Sequence, residues 1–389
     1  METDKTKQRL AFVLAFKTGQ WSKAELCERF GITRPTGYLW LGRYEVEGLS
    51  GLEDLSRRPL EPANRTEPEV EARIVAARKT YGWGAKKLLQ VLGRQSPEIA
   101  WPARSTMNDI LDRHGLLRKQ RGRRKWLHPG AAPLVTERPN QVWPADFKGH
   151  FKTRDGVYCY PLTVTDHFSR KLLVCRGLHS VQTVGAKPVF ERIFREVGLP
   201  EAMRTDNGAP FASTGIHGLC ELNVWWMQLG IVHQRIRPAS PQENGQHERM
   251  HKDLKHETTR PPSTNLRAQQ RAFDRFRHRY NDERPHEAIG GALPSELWTP
   301  SPREMPDRIA PPEYSGHLEV RRVSNCGTFR LNSRQPFLSN ALADQHIGLE
   351  EINDGIWNII YYKTLLGRID ERDGAITGNV SVKTPPGLS

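Results

Sequence analysis

Three carboxylates stand where a carboxylate has little structural reason to be, and together they could do hard-oxygen metal chemistry. Asp146 lies inside QVWPADFKG, an apolar, strand-like run, where burying a charge is costly unless it is paired or bound to a cation. Asp206 ends EAMRTDNG, a short strand pattern closing in an Asn-Gly turn, and strand ends beside the loops of an α/β sheet are where sites collect. Glu248 falls in QENGQHERMHKDLKHE, a helix pattern behind a loop with Pro241 and Gly245. Taken singly, each has a bland alternative: an Asx-turn for Asp206, a hairpin cap for Asp146, a solvated helix face for Glu248. As a set, oxygen donors from three separate elements suit Mg²⁺ or Mn²⁺, which prefer carboxylates and retained waters. Two such ions about 4 Å apart activate an attacking oxygen and stabilise the leaving one, with no covalent protein intermediate.

Strands alternating with helices must position these groups. From about Pro139, VYCYPLTVTDH and KLLVCRGL read as adjacent strands joined by the HFSR turn, VGAKPVFERIFREVG as a helix and EAMRTDNG as a further strand. That alternation predicts an α/β core over residues 135–300. GIHGLCELNVWWMQLG reads as helical, with Trp225 and Trp226 belonging to a core. After about Pro311, the β-branched and aromatic segments HLEVRRV, GTFRL and GIWNIIYYKTLLGRI predict a small C-terminal β domain over 311–380, a barrel or sandwich.

The N-terminal part is all helical. Leu10, Phe12, Val13 and Phe16 recur at helical spacing until Gly19. Ser22 then caps KAELCERF, Gly31 makes a tight turn and Thr33 caps RPTGYLWLGRYEVEG, a helix-turn-helix over residues 1–60. Its second helix would carry Arg34, Thr36, Tyr38 and Arg43 into a major groove, with Phe30, Ile32, Leu39 and Leu41 as packing; an ordinary helical hairpin is the alternative. The proline-marked linker DLSRRPLEPANRT leads into a second helical DNA-binding unit over 61–128, in which Ser105 and Thr106 cap the last helix and Gly115 stops it. It ends in LRKQRGRRKW, six of whose ten residues are basic. Arg121, Arg123, Arg124 and Lys125 are read there as tracking phosphates rather than as a merely solvated linker.

Composition agrees. Across 389 residues, 58 Lys and Arg against 44 Asp and Glu leave a net charge of +14, which favours a polyanionic partner, nucleic acid above all. At 37% apolar and 26% charged residues the chain has enough core-forming material to exclude global disorder. The five cysteines lie far apart without CxxC pairs, so reduced thiols in a cytoplasm are expected rather than a disulfide scaffold or zinc finger. The apolar N-terminal stretch is short and lacks a small-residue cleavage site, arguing against a signal peptide, and no run of 18 apolar residues offers a membrane span.

The segments NQVWPADF, DHFSR at 166–170, RTDNGAPF and SPQENGQHERMHKDLK resemble the transposases and integrases of the retroviral-integrase superfamily, bacterial insertion-sequence transposases in particular. YNDERPHEAI at 280–289 resembles their tail motif, and GITRPTGYLW their N-terminal helix-turn-helix. The resemblance implies a multidomain protein with an RNase H-like core. It implies Asp146, Asp206 and Glu248 as ligands of two Mg²⁺ or Mn²⁺ ions, and metal-dependent strand cleavage followed by 3′-hydroxyl strand transfer. The implied partners are double-stranded DNA, as terminal inverted repeats and as target, and further copies of the chain assembled on it, in a bacterial, nucleoid-associated setting without a membrane. Asp166 is structural on this reading, with Ser169 and Arg170 closing its turn. The interval from Asp206 to Glu248 is longer than is usual in retroviral integrases, which a helical insertion at GIHGLCELNVWWMQLG would explain; Glu243, in the loop, is not preferred as the third ligand. Lys252 and Lys255 share the face of Glu248 at i+4 and i+7 and would hold terminal phosphates. Gln242, Asn244 and Gln246 are weaker candidates for DNA ends, and His247 and His251 have either a site or a plain helix-face role. A transcription regulator would leave the carboxylates unexplained, and a structure-selective nuclease the N-terminal readers.

Overall fold

A computed structural model describes residues 5–55, 66–117, 135–213, 218–236 and 245–377. The chain divides into two compact units, Met1–Glu71 and Ala72–Ser389.

In the first unit, α1 (Lys5–Lys17), α2 (Lys23–Arg29) and α3 (Arg34–Glu47) enclose Phe12, Val13, Leu26, Cys27 and Leu41. Ser22 and Glu25 form a reciprocal capping box at the start of α2. Thr33 occupies the cap position of α3, but its hydroxyl bonds the Thr36 hydroxyl at 2.8 Å instead of a backbone N–H. Leu39 is 56% exposed, contrary to the expected packing role, because α3 turns its Gly37–Leu41 stripe inward and a residue two positions on from Gly37 faces away. Gly37 marks the closest approach: a Cβ there would lie 2.6 Å from the Cys27 Sγ and 2.9 Å from the Phe12 ring. Gly37→Ala gains about 1 kcal/mol of helix propensity but overpacks the helix junction by about 1–3 kcal/mol. A net loss of stability is expected in urea unfolding of the first unit; a higher midpoint would contradict this packing.

From Ala72 on, the second unit takes in all but the first turn of α4 (Pro68–Tyr81), with α5 (Ala85–Gln95) and α6 (Arg104–Arg113), and buries Ile74, Ala77, Leu88, Val91, Met107, Ile110 and Leu111. Ala103 holds the cap position of α6, so Ser105 and Thr106 fall inside its first turn rather than capping it. Gly115 ends it at φ +65°. Lys86 and Arg94 of α5 pair with Glu287 and Glu296, each at 3.3 Å, tying this helical block to the chain that follows the core.

The core is a mixed sheet of β1 (Val142–Phe147), β2 (Phe151–Lys152), β3 (Tyr158–Thr165), β4 (Leu172–Leu178), β5 (Ala202–Thr205) and β6 (Val232–Arg235). β4, β3 and β1 run antiparallel as neighbours, and β1, β5 and β6 are parallel. The parallel pairs require crossovers: α7 (Thr183–Val197) lies between β4 and β5, and α8 (Glu221–Gln228) between β5 and β6. The predicted helical insertion is thus the crossover of the fold itself. Trp225 and Trp226 are 6% and 0% exposed and pack with Phe190, Phe194 and Phe211 against one face of the sheet, as expected of core residues. Val224 and Met227, also on α8, join a second cluster with the C-terminal domain, so this short helix buries apolar side chains on two sides because both are covered. On the other sheet face, α9 (Gly245–Thr258) and α10 (Leu266–His278) pack through Met250, Leu254, Phe273 and Phe276.

The C-terminal part is an antiparallel five-stranded sheet in the order β11 (Ile376–Thr377), β10 (Thr364–Asp370), β9 (Ile356–Tyr361), β8 (His346–Asn353), β7 (Glu319–Arg322). The GTFRL segment contributes only isolated bridges at Thr328 and Leu331.

Candidate active site and nucleic-acid interface

Strand register brings the two aspartates level. β1 and β5 pair at Val142 with Ala202 and at Pro144 with Arg204, and continuing that register by two residues sets Asp206 opposite Asp146. Side chains alternate along strands, so both share a sheet face. It is the α9 face, because Asp146 is paired with Thr163, whose hydroxyl contacts His247 and His251 of α9.

The hydrogen-bond accounting around Thr163 is closed. Its hydroxyl donates to the Asp146 carbonyl at 3.0 Å, and a hydroxyl has one proton and two lone pairs. The Nε2 atoms of His247 and His251, both 2.7 Å away, must therefore be the donors. His251 is left with an acceptor Nδ1, 3.8 Å from Asp146 Oδ2. Burial keeps both rings neutral, pushing His247 down to about 3 and His251 to about 2, the latter helped by His247 and Lys148. A similar arrangement serves the second aspartate: Thr205 donates to the Asp206 carbonyl at 3.0 Å and receives His233 Nε2–H at 2.8 Å. Thr163, Thr205 and His233 carried no local signal; their parts follow from cross-strand register. Thr163→Val leaves two buried imidazole donors and a carbonyl short of a partner, at about 1–3 kcal/mol per group. A thermal midpoint lowered by several degrees is expected, and an unchanged one would remove this account of how α9 is seated.

Asp146 emerges where β1 leaves the core, its side chain 17% exposed. Asp206 is exposed and accepts the Gly208 N–H at 3.1 Å, the Asx-turn geometry. Asn207 bridges to β6 and its end, donating to the Ile236 carbonyl at 2.9 Å and accepting from Arg235 Nε at 2.7 Å. Glu248 stands in the first turn of α9 with its side chain in solvent, about 60° around the helix from His251. Lys252 and Lys255 are exposed further along α9. Hard oxygen donors from adjacent strands suit a divalent cation, and Asp146 and Asp206 provide them. Glu248 is not drawn in to them: among the described residues no three His, Cys, Asp or Glu side chains are gathered closely enough to hold an ion.

Asp166 has both oxygens occupied inside the fold. Oδ1 accepts the Asn140 N–H at 2.7 Å, and Oδ2 accepts the Ser169 N–H and hydroxyl at 2.8 and 2.6 Å. Arg170 closes that turn at φ +68°.

Of the DNA-contact candidates, Arg34 and Tyr38 are exposed on α3 and Thr36 is half-buried. Arg43 is turned to the Glu53 carbonyl at 2.7 Å. Arg121, Arg123, Arg124 and Lys125, and the loop residues Gln242, Glu243 and Asn244, lie outside the described residues.

Residues 136–241 and 229–294 match models of the integrase core domain, residues 8–59 a helix-turn-helix domain and residues 36–111 a homeodomain-like domain. The chain is 29% identical over 161 residues to the 31.7 kDa protein of insertion element IS407 from Burkholderia multivorans, covering 41% of this chain and 55% of that protein. It is 25% identical over 285 residues to the 39.2 kDa protein of insertion element IS476 from Xanthomonas euvesicatoria, covering 72% and 74%. Among solved structures, the HTLV-2 integrase catalytic core domain in complex with magnesium aligns over 41% of this chain and 97% of its own at 18% identity and a TM-score of 0.33. A chain of the simian T-cell lymphotropic virus intasome in complex with PP2A regulatory subunit B56 gamma aligns over 75% and 97% at 19% identity and a TM-score of 0.38. Residues 136–294 thus match the integrase core domain, and over that core and beyond it the chain is similar to the proteins of bacterial insertion elements.

Proposed function

We propose that this protein is a transposase that binds the ends of a mobile DNA element, cuts a strand and joins the freed 3′-hydroxyl to target DNA. The observation that carries the reading is the parallel pairing of β1 with β5, which bear Asp146 and, just past the strand end, Asp206, with the helix that bears Glu248 packed over Asp146. These three carboxylates are the proposed ligands of two Mg²⁺ or Mn²⁺ ions, which when bound activate the attacking oxygen and stabilise the leaving one. The chain's own work is positional. Thr163 and Thr205 fix the backbone of the two aspartates, and the neutral histidines seat α9 without adding positive charge beside the carboxylates. Lys252 and Lys255 offer cations to DNA phosphates along the same helix. Arg34, Thr36 and Tyr38 of α3 are the proposed sequence readers, Arg43 instead bracing the end of that unit, and Arg121, Arg123, Arg124 and Lys125 are proposed to follow phosphates. The proposed assembly contains further copies of the chain on DNA.

The test uses labelled duplexes ending in the inverted repeats that flank the reading frame, a target plasmid and Mg²⁺. Joined products are expected. Hydrolysis without joining would replace the reading with a nuclease, and binding without either with a regulator.

A further inference from the structure

The YNDERPHEAI tail contains more than packing. Asn281 clamps the start of β4, accepting the Leu172 N–H and donating to its carbonyl at 2.8 and 2.9 Å. Beyond it, Arg284, with Arg170 and Lys87, lines an open cavity of about 120 Å³ beside α9. One water needs only about 10–15 Å³ of such space, so a tetrahedral oxyanion fits. Arg284 is 8% exposed. Its Nη2 bonds Asp253 at 2.6 Å, yet its Nε has no hydrogen-bond partner, and neither do Nε and Nη1 of Arg170. Arg170 is held in place by the turn around Asp166.

The charge balance in the cavity is positive. Lys87, Arg170, Arg249 and Arg284 face Asp253 and Glu287, and Glu287 already pairs with Lys86. Burial, with Arg284 and Arg249 nearby, pushes Lys87 down to about 8 against the pull of Asp253. Buried donors left without acceptors are destabilising, and a cavity lined by more guanidinium and ammonium groups than carboxylates suits a phosphoryl oxyanion.

We infer that this cavity binds one phosphate of the DNA backbone, held by Arg170, Arg284, Lys87 and Arg249 beside the helix that carries Glu248. The inference rests on the DNA-binding reading above and deepens it, joining the second helical block and the tail motif in a single contact.

The experiment measures binding of the full chain to a short duplex of arbitrary sequence across a salt series, and its thermal midpoint in phosphate against chloride at equal ionic strength. The double variant Lys87→Gln with Arg249→Gln is compared with Arg192→Gln, a charge change on α7 away from the cavity. The salt slope is expected to fall by about 1 in the double variant and affinity by roughly tenfold, with Arg192→Gln near wild type. Phosphate is expected to raise the midpoint of wild type and not that of Arg284→Lys, which keeps the charge but loses the fork. A slope unchanged in the double variant, or lowered equally by Arg192→Gln, overturns the contact. Phosphate stabilisation with an unchanged slope overturns the backbone assignment in favour of a free phosphoryl ligand, and no phosphate response means a cavity holding water only. Wild-type protein that binds no duplex at all overturns the DNA reading itself.

Discussion

Asp146→Asn is expected to reduce Mg²⁺-dependent strand joining on the order of 10³-fold or more, while duplex binding and thermal midpoint stay near wild type. The substitution keeps the side chain's shape and removes its charge, so it withdraws a hard anionic donor whose contribution amounts to several kcal/mol, at 1.36 kcal/mol per decade of rate. The fold should tolerate it. His251 presents an acceptor Nδ1 toward this side chain at 3.8 Å, and an asparagine amide can donate to it where the carboxylate could not. Asp206→Asn and Glu248→Gln should each give comparable losses, and combining them should add little, because groups acting as a unit are not additive. Asp166→Asn is the contrasting case. Both of its oxygens accept bonds from Asn140 and Ser169 in a buried turn, so an NH₂ group there faces donors. The expected loss is about 1–3 kcal/mol of stability per mismatched group, seen in unfolding before it is seen in joining. Joining retained in a purified Asp146→Asn protein would remove the proposed mechanism.

Much of this arrangement was legible in the order of the residues. The β3–β4 hairpin follows from two apolar runs around DHFSR, and the aspartate settings follow from strand ends and the Asn-Gly turn. Trp225 and Trp226 are readable as core because two adjacent indoles beside Leu222, Val224 and Met227 in one short helix need cover on more than one side. What could not be read depends on pairing between distant segments. The α8 segment looked like an insertion because its reason for existing is the parallel β5–β6 pair, and neither strand announces its partner. Thr163 and Thr205 support the aspartates only through register, and a one-residue slip would send them to the opposite face. Thr33 and Ser105 show a smaller limit: good capping residues were recognised, but whether an oxygen reaches a backbone N–H depends on boundaries fixed by packing. Glu248 is the proposed ligand least fixed by strand register, since it stands on a helix and not on the sheet.

Acidification from pH 7 to 5 is expected to lower the stability of the second unit by about 6 kcal/mol, through three buried histidines. Burial pushes His167, His233 and His286 down to about 4, about 3 and about 4. Cations add to this: Arg170 and Arg204 beside His167, Arg235 beside His233, and Arg284 and Lys87 beside His286. In the unfolded chain each ring takes its proton near 6.5. Below that pH the unfolded state binds more protons than the folded one, so stability falls as pH drops and levels off only below the folded values. Each ring contributes about 1.36 kcal/mol per pH unit, or about 4 kcal/mol per unit for three between about pH 6 and 4. His247 and His251, buried in the same way, steepen the fall. Asp166 works against it, because burial raises its carboxyl and the folded state takes up that proton early. Total stabilities are commonly about 5–15 kcal/mol, so tryptophan fluorescence should report unfolding of the core before pH 4. His233→Gln should make the pH dependence shallower by about one proton, the amide replacing the Nε2–H donated to Thr205. Stability that stays flat from pH 7 to 5 would mean that these rings are hydrated in solution and do not form the neutral, buried supports on which the placement of β6 and the tail motif depends.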